Sequence, residues 1–289
     1  MSSAFFVPTI LVISHMKIVD LYVKLSINFA PLMAKRRLFI SALCFLFIGL
    51  QSFHSIPTSP NDFAYEVSVS PDGVDFNKVS NKLYTDLGLT ESALSSEVFK
   101  KALKGYVYLK YTNELSNEQY LTVLDFSKQS NEKRMWIFDL KGKQILFNEL
   151  VAHGKYSGDK YAQSFSNKSN SKKSSLGFYV TGEPYNGKHR YSMKLRGLEP
   201  GFNSNAFARG IVVHGANYVS EEIAEKQQSV GRSFGCPAVS QDVNNQIVDL
   251  IQGGSCMFIY HPQAYYNGKS KILNNKQFIP LELLKELVE

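Results

Sequence analysis

The sequence predicts a mainly β fold with a helix packed on it, preceded by a small helical segment. Three observations carry this. From about Leu121 the chain becomes a series of short apolar or aromatic runs separated by turn residues. One strongly periodic stretch, Val243, Ile247, Leu250 and Ile251, interrupts that series. Upstream, residues 61–117 mostly lack strand alternation.

Taken in order, Ser95 or Ser96 can cap a first helix in which Val98, Phe99, Ala102, Leu103 and Tyr106 share one face, with Lys100, Lys101 and Lys104 opposite. Residues 135–140 and 144–152, joined by Lys141-Gly142-Lys143, predict a hairpin. Residues 177–181, 191–195, 211–214 and 256–260 continue the strands. Ser240 caps the second helix, and Gly253-Gly254 ends it. Residues 155–174 are rich in Ser, Lys, Asn and Gly and bury little, so they predict a mobile loop able to act as a lid.

A chain of 289 residues accommodates one sizeable core with an additional subdomain. The expected organisation is a leader at 1–55, a linker and helical segment at 56–117, the main domain at 118–265 and a tail at 266–289. Lys35-Arg36-Arg37 followed by apolar residues 38–50 has the basic and apolar regions of a secretory signal, with Met33 as an alternative start. Residues 51–60 contain no small-x-small cleavage site, so membrane association through an uncleaved leader is the alternative to release. Either way the expected location is outside the cytoplasm, in the periplasm or cell envelope.

The formal net charge of +7 suits an anionic partner such as a cell-wall polymer or membrane surface. There is no finger spacing, no aromatic RNP-like strand and no basic recognition helix, so nucleic acid is not expected. Three cysteines, Cys44, Cys236 and Cys256, are too few for a disulfide framework. Cys256 lies in an apolar run and reads as a small buried hydrophobe. Cys236 sits in a Gly/Pro-flanked turn, which is no place for a core thiol.

Ser233-Phe234-Gly235-Cys236 lies 22 residues downstream of Ile211-Val212-Val213-His214-Gly215. That pattern points to a nucleophile and its base: a thiol attacks as thiolate and needs an imidazole, room for substrate, and N–H groups for an oxyanion. His214, at a strand end, is the candidate base; the amides of Gly235 and Cys236 are candidate oxyanion donors. Gly215, Asn217, Tyr218, Ser233 and Arg232 are candidate substrate contacts, Arg232 for a carboxylate. His153, ending another strand before Gly154, is a candidate for the same cleft. His189 has no supporting context. A zinc site of His153, His214, Cys236 and Cys256 lacks a short chelating pair, so neither metal nor cofactor is expected.

His-Gly followed by Ser-x-Gly-Cys, together with Val151-Ala152-His153-Gly154, Ser175-Leu176-Gly177-Phe178-Tyr179, Thr181-Gly182-Glu183 and Gly231-Arg232-Ser233, resembles the murein L,D-transpeptidase catalytic-domain family. The resemblance covers roughly residues 90–262. It implies an L,D-transpeptidase-like β-sandwich or barrel, Cys236 as nucleophile, His214 as base, and peptidoglycan stem peptides as partners. It further implies an acyl-enzyme that releases D-alanine and passes the acyl group to a second stem, with L,D-carboxypeptidase action or an inactive peptidoglycan-binding protein as alternatives. One departure stands out: the family has an Arg two residues after the cysteine, and here that position is Ala238. Arg232 or Arg209 is then left to fill the role.

Overall fold

The computed structural model describes residues 75–275 and 281–287. The leader and most of the linker lie outside them. Two helices come first: α1 (Phe76–Asp86), capped by the Asp75 side chain, and α2 (Ser96–Tyr111), capped by Ser95, whose Oγ accepts from Val98 N–H. The capping oxygen satisfies one of the amides that a helix start leaves unpaired. The apolar face read from the sequence is the buried one: Phe99, Ala102 and Leu103 are fully buried. Each such Phe or Leu contributes about 1.5–3 kcal/mol relative to exposure.

Eight strands follow: β1 (Tyr120–Asp125), β2 (Met135–Asp139), β3 (Gln144–Glu149), β4 (Gly177–Gly187), β5 (Arg190–Gly197), β6 (Val212–Gly215), β7 (Ala238–Val239) and β8 (Cys256–Tyr260). They form one mixed sheet in the order β3-β2-β1-β8-β4-β5-β6-β7, with β1–β8 and β6–β7 parallel and the other pairs antiparallel. The two ends of that order meet. Past β3 the chain continues to Ala152, which bridges Ala238 of β7, with Ala152 N–H to Ala238 O at 2.8 Å; Gly154 likewise bridges Ser233. The sheet therefore curls into a nearly closed barrel, which removes the exposed strand edges an open sheet would present.

Two helices cover it. α2 lies against β1 and β8, where Gly105 lets the Phe178 ring come so close that an added Cβ would sit 2.0 Å from Phe178 Cζ; Phe178 in turn stacks on Phe258 at 4.2 Å. α4 (Gln241–Ile251), capped by Ser240, lies across β4, β5 and β6, as its buried Asn244, Ile247, Val248 and Ile251 require. A third helix, α3 (Glu221–Gln227), was not expected: it is short, mostly polar and buries only Ala224, so it leaves no apolar period to read. After β8 the chain adds α5 (Ala264–Lys269) and α6 (Leu281–Glu286). Tyr266 of α5 is fully buried, its hydroxyl donating to Glu199 at 2.8 Å.

Residues 155–174 are strapped down rather than loose. Tyr156 N–H reaches Lys172 O, Ser174 N–H reaches Ser157 Oγ, and Ser174 Oγ reaches Gly235 O. The segment's polar residues, which read as solvated, spend their hydrogen bonds on one another and on the cysteine turn. No helix among the described residues is long and apolar enough to cross a membrane.

Candidate active site

The turn that carries Cys236 is built by Ser233 and Gly235. Ser233 Oγ accepts from Gly235 N–H at 3.0 Å and donates to Cys236 O at 2.6 Å, closing the turn on itself. Gly235 has φ +124, where an L side chain is strained, and an added Cβ would lie 2.8 Å from Lys173 O. Only glycine fits. Gly154 abuts the same turn, since a Cβ there would come within 3.0 Å of Gly235 Cα. Two of the residues singled out from the sequence are thus committed to the turn: Ser233 Oγ and Gly235 N–H are engaged with each other, leaving the Cys236 amide as the N–H with no partner among the described residues.

β7 follows two residues later and pairs in parallel with β6, Ala238 opposite His214 and Val239 opposite Gly215. Cys236 itself lies in the turn two residues before β7, so this pairing brings the end of the turn, at Ala238, opposite His214. The cysteine is partly exposed, with Sγ 3.7 Å from Gly210 O. Burial pushes its thiol above the ordinary range, against the opposing pull of the Val212 N–H and the Arg209 guanidinium. At neutral pH it rests as thiol, not as thiolate.

His214 is buried, and its Nδ1 lies 2.9 Å from Gly215 O. A carbonyl only accepts, so Nδ1 carries the proton and Nε2 is left with a free lone pair. Burial, and to a lesser degree His189, hold this imidazole below the ordinary range, with the Gly215 bond working the other way. The thiol and imidazole share no hydrogen bond in this structure; each is held by other groups. Each is neutral at rest, the thiol as a weak acid and the imidazole as a base.

The other candidates divide. Gly215 makes room for α4, since a Cβ would meet Gln241 Oε1 at 2.7 Å. Asn217 and Tyr218 line a cavity of about 300 Å³ of which His214 forms one wall. Tyr218 also feels Cys236: burial and the nearby thiol push its hydroxyl up to about 12. Arg232 points to the rim, bonded to Gly158 O and Asp159, both at 3.2 Å. His153 does not reach the cleft. Its ring is fully buried, edge-on to Phe126 and 2.9 Å from Arg134 Nη2, and only its backbone serves the site, accepting from Ser233 N–H at 3.0 Å.

Two residues matter more than the sequence indicated. Arg209 donates to Ser166 O at 2.7 Å, Ser175 Oγ at 2.5 Å, Ser171 Oγ at 3.2 Å and Lys173 O at 2.6 Å, and its charge acts on Cys236. It is the cation beside the thiol, while Ala238 is fully buried among Leu150, Ala152, Ala216 and Val230, where an arginine would not fit. His189, at the β4–β5 hairpin tip, stacks on His214 with ring centroids 4.3 Å apart. Among the described residues, no group of three or more His, Cys, Asp or Glu side chains is arranged to hold a metal ion.

Residues 90–260 match the sequence profile of the L,D-transpeptidase catalytic domain. No curated protein sequence matches the chain. Solved structures similar to it include an L,D-transpeptidase from Mycobacterium smegmatis, 12% identical, with 50% of this chain and 59% of that one covered at a TM-score of 0.32. L,D-transpeptidase 1 of Mycobacterium tuberculosis is 13% identical, with 48% and 60% covered at a TM-score of 0.29. An L,D-transpeptidase from Stackebrandtia nassauensis is 10% identical, with 65% and 92% covered at a TM-score of 0.31. The chain spans about six-tenths of the length of the two mycobacterial enzymes.

Proposed function

We propose, because this chain belongs to the L,D-transpeptidase catalytic domain family, that it performs L,D-acyl transfer on peptidoglycan stem peptides with Cys236 as nucleophile. The residue assignment is supported by the parallel pairing of β7 with β6, which opposes His214 to Ala238, two residues after Cys236, and by the Nδ1 bond to Gly215 O that leaves His214 Nε2 free. His214 Nε2 takes the thiol proton as sulfur attacks the carbonyl of the L-centre of a tetrapeptide stem. The Cys236 N–H, and the Tyr218 hydroxyl that stays protonated at neutral pH, donate to the oxyanion. As the intermediate collapses, the C–N bond breaks, the departing D-alanine amine takes the proton from Nε2, and a thioester remains on Cys236. An incoming amine then gives its proton to Nε2, attacks the thioester and releases the thiol, forming a 3→3 crosslink. With water in the amine's place the product is a tripeptide, which is the L,D-carboxypeptidase reading.

Arg209 replaces the family's post-cysteine arginine in this reading, lowering the thiol pKa from across the turn. That argues against the inactive binding protein, whose support was the missing arginine. Export through residues 33–60 belongs to the same proposal, with the catalytic domain at 118–265 on the outer side of the membrane.

Incubation with a tetrapeptide stem, read by intact mass, tests the function. The expected adduct is the stem less one D-alanine, mapped to Cys236, resolving to a 3→3 dimer when acceptor stems are added, and blocked by a carbapenem. An adduct on another residue, or none with either reagent under reducing conditions, would overturn the reading. Residues 33–60 fused to a reporter active only outside the cytoplasm test export; a silent reporter would end it.

A further inference from the structure

Two patches of the same construction adjoin Cys236. In the first, the Lys172 ammonium lies over the Phe234 ring at 5.0 Å and over the Tyr156 ring at 5.7 Å. In the second, the Lys194 ammonium lies 5.5 Å from the ring centroids of both Tyr185 and Phe207. All four rings belong to the few large apolar side chains left exposed among the described residues, Phe234 at 66% and Phe207 at 60%. Neither ammonium is ion-paired among those residues, so its N–H donors are spare. Exposed rings gathered this way mark a contact surface. Both patches reach the thiol. Phe234 stands in the cysteine turn itself, and Phe207 O accepts from the N–H of Gly210, whose own carbonyl lies 3.7 Å from Cys236 Sγ. Arg209 ties the two together by donating to Lys173 O at 2.6 Å.

An open aromatic face beside an ammonium with spare donors matches a pyranose ring. The sugar's C–H face packs on the aromatic, while its hydroxyls and N-acetyl carbonyls accept from the ammonium. A lipid surface fits less well, because one lying across both patches would cover the thiol that both adjoin. The stem that carries the reacting carbonyl hangs from such a sugar, and three extended stem residues span about 10 Å. Phe234 is two residues from Cys236, at most about 7–8 Å along the backbone, so a sugar seated there keeps the stem's third residue within reach of sulfur. We propose that the two lysine-bridged aromatic patches form a sugar-stacking track for the glycan chain of peptidoglycan, so that stems are taken from the polymer in preference to free peptides. This rests on the acyl-transfer reading and narrows its substrate.

The test titrates the full chain with glycan chains from which the stems have been cleaved, so that only the sugars can bind. A Tyr156→Ser/Phe207→Ser double variant removes one exposed ring from each patch, and a Tyr111→Ser/Tyr265→Ser variant removes two exposed rings elsewhere. The expected result is saturable binding by wild type that weakens at least about tenfold in the first variant and stays within about twofold in the second, at matched melting temperatures. No binding by wild type, equal binding by the first variant, or an equal loss in the second would overturn the track. Vesicles of anionic phospholipid are titrated alongside. Binding to vesicles and not to glycan, lost in the first variant, would give the patches to a lipid surface and also overturn it. Acylation of Cys236 by a free tetrapeptide stem is measured separately. Acylation without glycan binding leaves the transferase reading intact and ends the track; ring-dependent glycan binding without acylation keeps the track and ends the transferase reading.

Discussion

His189 and His214 stack with centroids 4.3 Å apart and planes 24° apart, although they reach the contact from different elements, the β4–β5 hairpin tip and the end of β6. The stack covers one face of the His214 ring, and the Gly215 carbonyl fixes its tautomer. Together they preset the ring's orientation before any substrate arrives, which is where preorganised catalysis gains most.

The rate of Cys236 acylation is expected to be flat across neutral pH. His214, lowered by burial, stays deprotonated to below the ordinary imidazole range, so the acid limb lies below about pH 6.5. The thiol, raised by burial, ionises only above the ordinary range, so any alkaline change comes above about pH 8.5. A pH–rate profile from 5 to 10 checks this; an acid limb above pH 7 contradicts it. His189→Ala should move the acid limb upward, because the repulsion from His189 that helps lower the His214 imidazole is removed.

Arg209→Ala should slow acylation by roughly 10- to 100-fold, because it removes both the charge beside the thiol and the brace on residues 166–175. Arg209→Lys keeps a charge but not the fork of donors, so it should recover the thiol's pH profile better than the loop's order. Limited proteolysis within 166–175, measured beside the rate, separates the two losses.

Cys236→Ala should abolish the adduct with little change in melting temperature, since the side chain lies in a partly exposed turn. Cys256→Ala should do the reverse. That thiol is fully buried on β8, between Leu121 and Val180, and truncating it costs on the order of 1 kcal/mol. Paired thermal melts and adduct assays on the two variants check the contrast, and an active Cys236→Ala would refute the nucleophile assignment.

Acid should weaken the fold through His153. Burial, helped by Arg134, lowers its imidazole to about 4, well below an unfolded value near 6.5. A lowered folded pKa means the neutral ring's contribution is complete above pH 6.5 and is lost as pH falls towards 4, amounting to about 3 kcal/mol. Urea unfolding at pH 7 and pH 4.5 should therefore show a smaller loss for His153→Gln than for wild type. An equal loss in both would place the acid sensitivity elsewhere.

Where information was local, the chain was readable. Strand Cys256–Tyr260, the Ser95 cap and the helix behind Ser240 all follow from neighbours within a few residues. Ala238–Val239 could not be read as a strand: two residues carry no period, and they are extended only because β6 and Ala152 pair with them on either side. The site divides in the same way. His214 and Cys236 were visible as motif residues, whereas Arg209 and His189 reach them through folding and leave no spacing signature. The clue to Arg209 was a vacancy, the arginine absent at position 238. Ser233 and Gly235 stand out for the right turn, but Ser233 reads as a substrate contact and the Gly235 amide as an oxyanion donor, because a sequence does not reveal that Ser233 Oγ and Gly235 N–H satisfy each other.

The join between the two ends of the sheet is short: Ala152 against Ala238 and Gly154 against Ser233, with the Cys236 turn between them. Elsewhere the strands are backed by α2 and α4; here a few backbone hydrogen bonds and close-packed glycines hold the ring shut. The barrel's latch and the candidate site are therefore built from the same few residues. A partial opening at this latch would part thiol from imidazole while leaving the helix-backed half of the barrel standing, so under denaturant or mechanical load the molecule should fall silent before it comes apart.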